Sequence, residues 1–119
     1  MQAKHRLKKR NEFRTVFQRG RSFANRQFVL YYYKRKTDGP FRVGISVSRK
    51  VGKAVTRNRI KRLIKEVVRH WTPILKPQVD MVIIVRKSAA GMEYQQVKQS
   101  LRHLFNKVNL FQKRSKEIN

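Results

Sequence analysis

The chain has 119 residues, of which 31 are Lys or Arg and 6 are Asp or Glu, so its formal net charge is +25. This length fits one small domain, the lack of cysteine excludes disulfides and thiolate metal sites, and no apolar run approaches the ~20 residues of a membrane-spanning helix. Because basic residues run along the whole chain and repel each other, we expect a polyanionic partner, nucleic acid first and an anionic membrane surface second.

The N-terminal part of the chain predicts a basic arm followed by a short helix. Residues 1–10 form the arm, which we expect to be flexible. Phe13, Val16 and Phe17 follow the spacing i, i+3, i+4 of one helix face. Gly20 is well suited to end this helix, since glycine is common just after a helix C-terminus.

Two strands are predicted in the next part of the chain. The run at 27–33 is rich in β-branched and aromatic residues, which favour strands. From 41 to 48, apolar residues alternate with small or polar ones, which is typical of a half-buried strand. Asp38 and Gly39 predict a tight turn between these strands, so we expect the two to pair as an antiparallel hairpin.

The second half of the chain predicts a long helix, a strand and another long helix. These elements span residues 54–71, 80–85 and 94–108, and residues 112–119 form a basic tail that we expect to be flexible. The strand is continuously apolar, as expected in the middle of a sheet. The order αββαβα predicts a single α+β domain over residues 1–119, an α-β sandwich with helices packed on a small sheet.

The helix at 54–71 combines an apolar stripe with a basic face. Its apolar positions recur at helical spacing and predict a buried stripe: Ile60, Leu63, Ile64, Val67, Val68 and Trp71. Polar and basic residues share another face: Asn58, Lys61, Arg62, Lys65 and Arg69. Like charges three and four residues apart repel each other on a helix. The pattern therefore indicates one helix that contacts the core on one side and phosphates on the other.

A basic loop precedes this helix. It contains Ser46, Ser48, Arg49, Lys50, Gly52 and Lys53. Backbone N–H groups at a helix N-terminus attract phosphate, and flanking cations reinforce the attraction. The same residues also fit a plain basic loop, and their spacing alone favours neither interpretation.

Aromatic residues cluster in the first third of the chain. Among them are Phe13, Phe17, Phe28, Tyr31, Tyr32 and Tyr33, and Phe28 fits ordinary core packing. On a strand, Tyr31 and Tyr33 share one face while Tyr32 lies on the other. Three consecutive tyrosines cannot all be buried on one side of a sheet, so at least one face presents rings to solvent or to a ligand. Aromatic rings beside Arg and Lys are a common platform for unstacked bases of single-stranded RNA.

The residues that enzymes use for catalysis are sparse. The six acids are well separated in sequence: Glu12, Asp38, Glu66, Asp80, Glu93 and Glu117. His5, His70 and His103 are also scattered, and there is no Walker-type phosphate loop or HExxH motif. Two-metal nucleases need several converging carboxylates. An enzyme that acts without a partner is therefore not expected.

Four motifs resemble those of a known family. They are Phe13-x-x-Val-Phe17-x-x-Gly20, Ala24-Asn-Arg26, Arg42-Val-Gly-Ile-Ser-Val-Ser48 and Gly52-x-Ala-Val-x-Arg57-Asn-Arg-Ile-Lys-Arg62. In this order, and over nearly the whole chain, they make it similar to the protein subunit of bacterial ribonuclease P. The segment from Arg57 to Arg62 is the most specific of the four.

The resemblance implies a fold and a function. The family's fold is an α-β sandwich like the second domain of ribosomal protein S5, with a rare left-handed βαβ crossover where spacing alone would predict a right-handed one. Its protein assists a catalytic RNA that removes the 5′ leader of precursor tRNA by endonucleolytic cleavage. The resemblance thus implies ribonuclease P RNA and precursor tRNA as partners, one protein per RNA, a cytoplasmic location, and no catalytic residue or metal in the protein. Magnesium ions (Mg²⁺) of the holoenzyme are held mainly by the RNA.

The resemblance also implies two binding regions. The catalytic RNA would contact Arg49, Lys50, Lys53, Arg57, Asn58, Arg59, Lys61, Arg62 and Lys65. The leader would lie in a cleft lined by Phe13, Phe17, Tyr31, Ser46 and Ser48, and Tyr32 and Tyr33 have no assigned role. Composition alone fits a structural RNA-binding protein, such as a ribosomal protein, equally well. A nuclease that acts on its own is the third class considered.

Overall fold

The computed structural model describes residues 1–112, and the predicted tail from 113 onward lies outside the described residues. The described residues contain three α-helices and four strands, in the order α1 (Arg10–Arg19), β1 (Arg21–Ala24), β2 (Phe28–Lys34), β3 (Arg42–Val47), α2 (Ala54–Trp71), β4 (Val79–Val85) and α3 (Tyr94–Lys107). The predicted α+β class is confirmed, with one strand more than expected. Within the described residues, no helix is both long and apolar enough to cross a membrane.

The four strands form one mixed sheet in the order β1-β2-β4-β3. β2 pairs antiparallel with β4 from Phe28↔Val85 to Lys34↔Val79, and β3 runs parallel to β4. The predicted hairpin between 27–33 and 41–48 is therefore wrong, because β4 lies between these strands. Most of the β4 side chains are buried, and a strand that is apolar on both faces is most stable in the middle of a sheet.

The hairpin that does form joins β1 to β2. Its turn is held by Asn25, whose Oδ1 accepts hydrogen bonds from the backbone N–H groups of Gln27 (3.0 Å) and Phe28 (2.9 Å). All four residues of β1 are exposed. This edge strand was missed because a strand with both faces in solvent has no apolar alternation to reveal it.

Helices cover both faces of the sheet, but unequally. The larger core lies between the sheet and helices α2 and α3, where the predicted stripe of α2 is buried apart from Leu63, which is half-buried. On the opposite face α1 packs alone. There Val16 of α1 is buried with Leu7 and Val82, next to partly buried aromatic rings. Because successive side chains of a strand point to opposite faces, neighbouring residues of one strand pack against α1 on one face and against α2 and α3 on the other.

The N-terminal segment is packed against the sheet, contrary to the expectation of a flexible arm. His5 is buried, its Nδ1 lies 2.9 Å from the carbonyl oxygen of Phe41, and its ring stacks on that of Phe41 at 4.1 Å. Leu7 is also buried and donates its backbone N–H to the carbonyl of Val43. Apolar and aromatic side chains within the basic segment provide these contacts.

Two glycines allow α1 to approach the sheet closely. Gly20 ends α1, as predicted, but its backbone is extended (φ −81°, ψ 178°) rather than left-handed. A Cβ at Gly20 would overlap the carbonyl oxygens of Val16 and Tyr32, so the close approach requires glycine there. At Gly44 of β3, a Cβ would overlap the ring of Phe13.

Replacing Gly44 with alanine is therefore expected to lower the free energy of unfolding by about 1–3 kcal/mol, since the Phe13 ring must move. Thermal unfolding monitored by circular dichroism measures the effect. Gly91→Ala is the matched control, because no atom of residues 1–112 outside its chain neighbours lies within 4 Å of the added Cβ. Equal melting temperatures for the two variants would contradict the packing of Phe13 over Gly44.

Candidate nucleic-acid interface

Helix α1 covers only part of its face of the sheet, and the part that it leaves accessible, beside Phe17 and Tyr31, is called the cleft below. The floor is a row of three residues paired across the sheet, Val29 to Ile84 and Ile84 to Ser46. Val29 and Ile84 are half-buried and Ser46 is exposed. Phe17 of α1 is 42% exposed, and its ring meets that of Tyr31 edge-on at 4.9 Å. Two aromatic rings therefore border an apolar strip that solvent can reach.

Most of the predicted cleft residues meet in this place. Tyr31 and Ser46 lie on the face of the sheet that carries α1, where Phe17 of α1 meets Tyr31 and Phe13 of α1 lies over Gly44. Ser48 is exposed just beyond the end of β3. The sequence did not reveal Val29 and Ile84. Alternation could have placed Val29 beside Tyr31, whereas the position of Ile84 depends on long-range strand pairing.

Basic residues gather near the cleft, where β4 ends. Arg86 and Lys87 follow β4, and Arg26 lies in the β1–β2 turn; all three are exposed. The Arg86 guanidinium donates to the carbonyl of Asn25 (3.1 Å), and the Ser88 hydroxyl donates to that of Arg26 (2.7 Å). These contacts join the two loops into one cationic rim. Sequence reasoning missed this group because its members are far apart along the chain.

A second cationic surface, the basic face of α2, lies on the outer side of that helix. Asn58, Arg62 and Lys65 are exposed and Lys61 is half-buried. Arg49, Lys50 and Lys53 are exposed just before α2 begins. No side chain among residues 1–112 caps the N-terminus of α2, and its first turn contains no acid. Positive side chains and the positive end of the helix dipole therefore coincide.

Two arginines of the predicted RNA-binding set differ from the others. Arg59 donates to the carbonyl of Met92 (3.0 Å) and to Glu93 Oε1 (3.1 Å), so it links α2 to the start of α3. Arg57 is half-buried, and its Nε is buried without a hydrogen-bond partner among the described residues. An unpaired buried donor is unfavourable, so Arg57 stands out as a side chain suited to an added acceptor.

Four of the five acids in residues 1–112 are paired with arginines, and the fifth, Asp38, accepts a hydrogen bond from Gln78. Glu66 and Arg69 form an exposed pair at 2.7 Å, and the hydrogen bond from Arg69 lowers the pKa of Glu66. Glu12 and Asp80 lie on the face that carries α1, together with Arg35 and Arg42. Within residues 1–112, no group of three or more His, Asp or Glu side chains could hold a metal ion.

The structure thus defines a small α+β domain with an aromatic cleft and a cationic helix face. The family model described as "Ribonuclease P" matches residues 1–109. The chain belongs to the ribonuclease P protein family, whose members are protein components of a ribonucleoprotein that processes tRNA.

Individual relatives agree with this assignment. The chain is 49% identical to the ribonuclease P protein component of Bacillus velezensis, over 97% of this chain and 98% of that one. It is 50% identical to the component of Bacillus cereus strain Q1, over 90% and 93% of the two chains. Among solved structures, the RNase P protein of Staphylococcus aureus superposes with a TM-score of 0.83 at 40% identity, covering 90% of this chain and 97% of that one. The protein from Thermotoga maritima gives a TM-score of 0.77 at 33% identity, covering 86% and 96%.

Proposed function

We propose that this chain binds the catalytic RNA of ribonuclease P through the basic face of α2 and the single-stranded 5′ leader of precursor tRNA through the cleft beside α1. The observation that carries the proposal is the separation of two unlike surfaces. The basic face of α2 offers cations to a phosphate backbone, which suits a folded RNA. The cleft offers aromatic rings next to a cationic rim, which suits unstacked bases.

In this proposal the RNA performs the cleavage, and the protein positions the substrate. The holoenzyme hydrolyses one phosphodiester bond and releases the leader, with Mg²⁺ held mainly by the RNA. The carboxylates of Glu12 and Asp80 are engaged by arginines, so they are poorly placed to act as bases or metal ligands. One protein per RNA, acting in the cytoplasm, completes the proposal.

Reconstitution tests this division of labour. The chain together with ribonuclease P RNA is expected to cleave precursor tRNA at a magnesium concentration at which the RNA alone is inactive. The chain alone is expected to leave precursor tRNA intact. Cleavage by the protein alone would identify a nuclease, and a failure to stimulate the RNA would favour a structural RNA-binding protein.

Phe17→Ala tests the cleft directly. A stacked base contributes on the order of 1–3 kcal/mol, so the variant holoenzyme should bind precursor tRNA about 5- to 150-fold more weakly. Mature tRNA has no leader, so its affinity should not change. Tyr31→Ala should act in the same direction. Equilibrium binding of both tRNAs to the reconstituted holoenzyme provides the measurement.

Phe23→Ala is the matched control for this experiment. Phe23 is 37% exposed, close to the 42% of Phe17, but it lies on the edge strand β1 near His103 of α3. Its loss should leave both tRNA affinities unchanged. An equal loss of precursor and mature tRNA binding by Phe17→Ala would show that the residue acts through folding rather than through the leader.

A further inference from the structure

We propose that a chain of ion pairs, Glu12–Arg42–Asp80–Arg35, fixes α1 on the sheet and thereby sets the shape of the cleft for the leader. This inference rests on the proposed function of the cleft and names positioning residues outside it. Glu12, Arg42 and Asp80 come from α1, β3 and β4, and Arg35 directly follows β2. They are called the ion-pair chain below.

The geometry of the ion-pair chain is that of a fixed connection. Asp80 is 3% exposed and accepts from Arg35 at 2.6 Å and from two nitrogens of Arg42 at 2.8 and 2.7 Å. The remaining terminal nitrogen of Arg42 donates to Glu12 Oε2 at 2.5 Å. Bidentate and charge-assisted hydrogen bonds of this kind restrict orientation as well as distance. The guanidinium of Arg42 therefore holds α1 at a defined position relative to β4.

The ion-pair chain offsets repulsion between α1 and the sheet, because both carry an excess of positive charge. Apart from Glu12, the charged residues of α1 are arginines: Arg10, Arg14 and Arg19. The sheet face beneath also carries arginines, so helix and sheet would otherwise repel each other. Three of the five ion pairs found in the described part of the chain belong to the ion-pair chain. Hydrogen bonding to Asp80 raises the pKa of Arg42.

The position of Glu12 on α1 connects the ion-pair chain to the cleft. Val16 points into the sheet, and helical spacing places Glu12 on one side of it and Phe17 on the other. If the bond from Glu12 to Arg42 is lost, α1 can rotate about its own axis while Val16 stays buried against Val82 of the sheet. A roll displaces the ring of Phe17 relative to Tyr31, so the edge of the cleft moves although none of its residues has changed.

Glu12 also has a second task, which the experiment must separate from the first. Its Oε1 accepts hydrogen bonds from the backbone N–H groups of Lys9 (2.9 Å) and Lys8 (3.2 Å) at the start of α1. Glutamine retains one oxygen that can cap these groups but lacks the second, charged oxygen that binds Arg42. Glu12→Gln is therefore a better probe than Glu12→Ala. Replacing Asp80 is less informative, because it removes the bonds of both arginines to this buried carboxylate at once and the variant could fail to fold.

The test compares variants of the full chain in the reconstituted holoenzyme. Glu12→Gln is expected to weaken binding of precursor tRNA about tenfold relative to mature tRNA, which corresponds to the loss of one charge-assisted hydrogen bond. The change should appear in KM, with kcat unaltered, and the affinity for ribonuclease P RNA should stay that of the parent chain. Glu12→Asp keeps the charge on a shorter side chain and should recover part of the loss.

Two controls decide between the possible outcomes. Asp38→Asn removes the same unit of negative charge from an exposed residue that contacts Gln78 instead of α1, and it should leave the ratio of the two tRNA affinities unchanged. Phe17→Ala reports whether the cleft binds the leader at all. If Phe17→Ala lowers the ratio but Glu12→Gln does not, the positioning role is overturned. If neither lowers it, the proposed function of the cleft fails as well.

Discussion

Replacing Lys61, Arg62 and Lys65 together by alanine is expected to abolish most of the affinity for ribonuclease P RNA. Each cation that neutralises a phosphate contributes about 0.7 to 0.9 to the magnitude of the slope of log K against log salt, so losing three contacts should reduce that magnitude by about 2 to 3. The three side chains lie on the accessible side of α2, away from its buried stripe. The fold should therefore be retained. Filter binding or fluorescence titration over a range of salt concentrations measures both quantities.

A matched variant on α3 controls for the loss of charge as such. Replacing Lys98, Arg102 and Lys107 by alanine removes the same number of positive charges from another helix. Its effect on affinity should be small and its salt slope close to that of the parent chain. Equal slopes for the two triple variants would mean that the basic face of α2 carries only solvated charges. The single change Arg57→Ala should also weaken binding of ribonuclease P RNA relative to the parent chain. The Nε of Arg57 is buried and has no hydrogen-bond partner among the described residues, so it is suited to an acceptor on the RNA.

The isolated chain is expected to be only partly folded in low salt and to fold when sulfate or phosphate is added. A net charge of +25 on 119 residues opposes the compact state through self-repulsion. An anion that binds only the native state stabilises it by RT ln(1 + [L]/Kd), about 2.7 kcal/mol at one hundred times Kd. Circular dichroism at 222 nm (a helix-sensitive wavelength) during a sulfate titration measures the transition, with its amplitude set by α1, α2 and α3.

Sodium chloride at equal ionic strength separates binding from screening in this experiment. If specific anion sites are responsible, sulfate should act at much lower ionic strength than chloride. A chain that is fully helical in low salt and unaffected by sulfate would contradict the prediction.

Acidification should weaken the connection between α1 and the sheet. Burial by itself would raise the pKa of Glu12, but hydrogen bonds from the Lys9 and Lys8 backbone and the charge of Arg42 outweigh it and lower that pKa below its usual value. A carboxylate whose pKa is depressed by folding stabilises the native state above the unfolded pKa. The stabilisation is lost as the pH falls through the folded pKa.

The sequence by itself determined the elements whose pattern is local. The spacing of Val16 and its neighbours located α1, and the apolar stripe from Ile60 to Trp71 located α2. β2, β3 and β4 followed from apolar runs and alternation. These patterns are readable because each depends on one element and on the side of it that is buried. Four motifs in order were enough to indicate the family.

Only the tertiary structure decided how these elements meet. That β4 separates β2 from β3 depends on strand pairing over long sequence distances, which no local period encodes. β1 is stabilised by its pairing with β2, since its own residues are exposed. The two candidate binding surfaces also depend on tertiary structure. Ile84 and Arg86 lie at the cleft because of the register in which β4 pairs with its neighbours. Arg59 bonds to Glu93 at the start of α3, although it belongs to α2. Glu12 and Asp80, 68 positions apart in the numbering, share Arg42 because charges in a folded chain pair by distance in space.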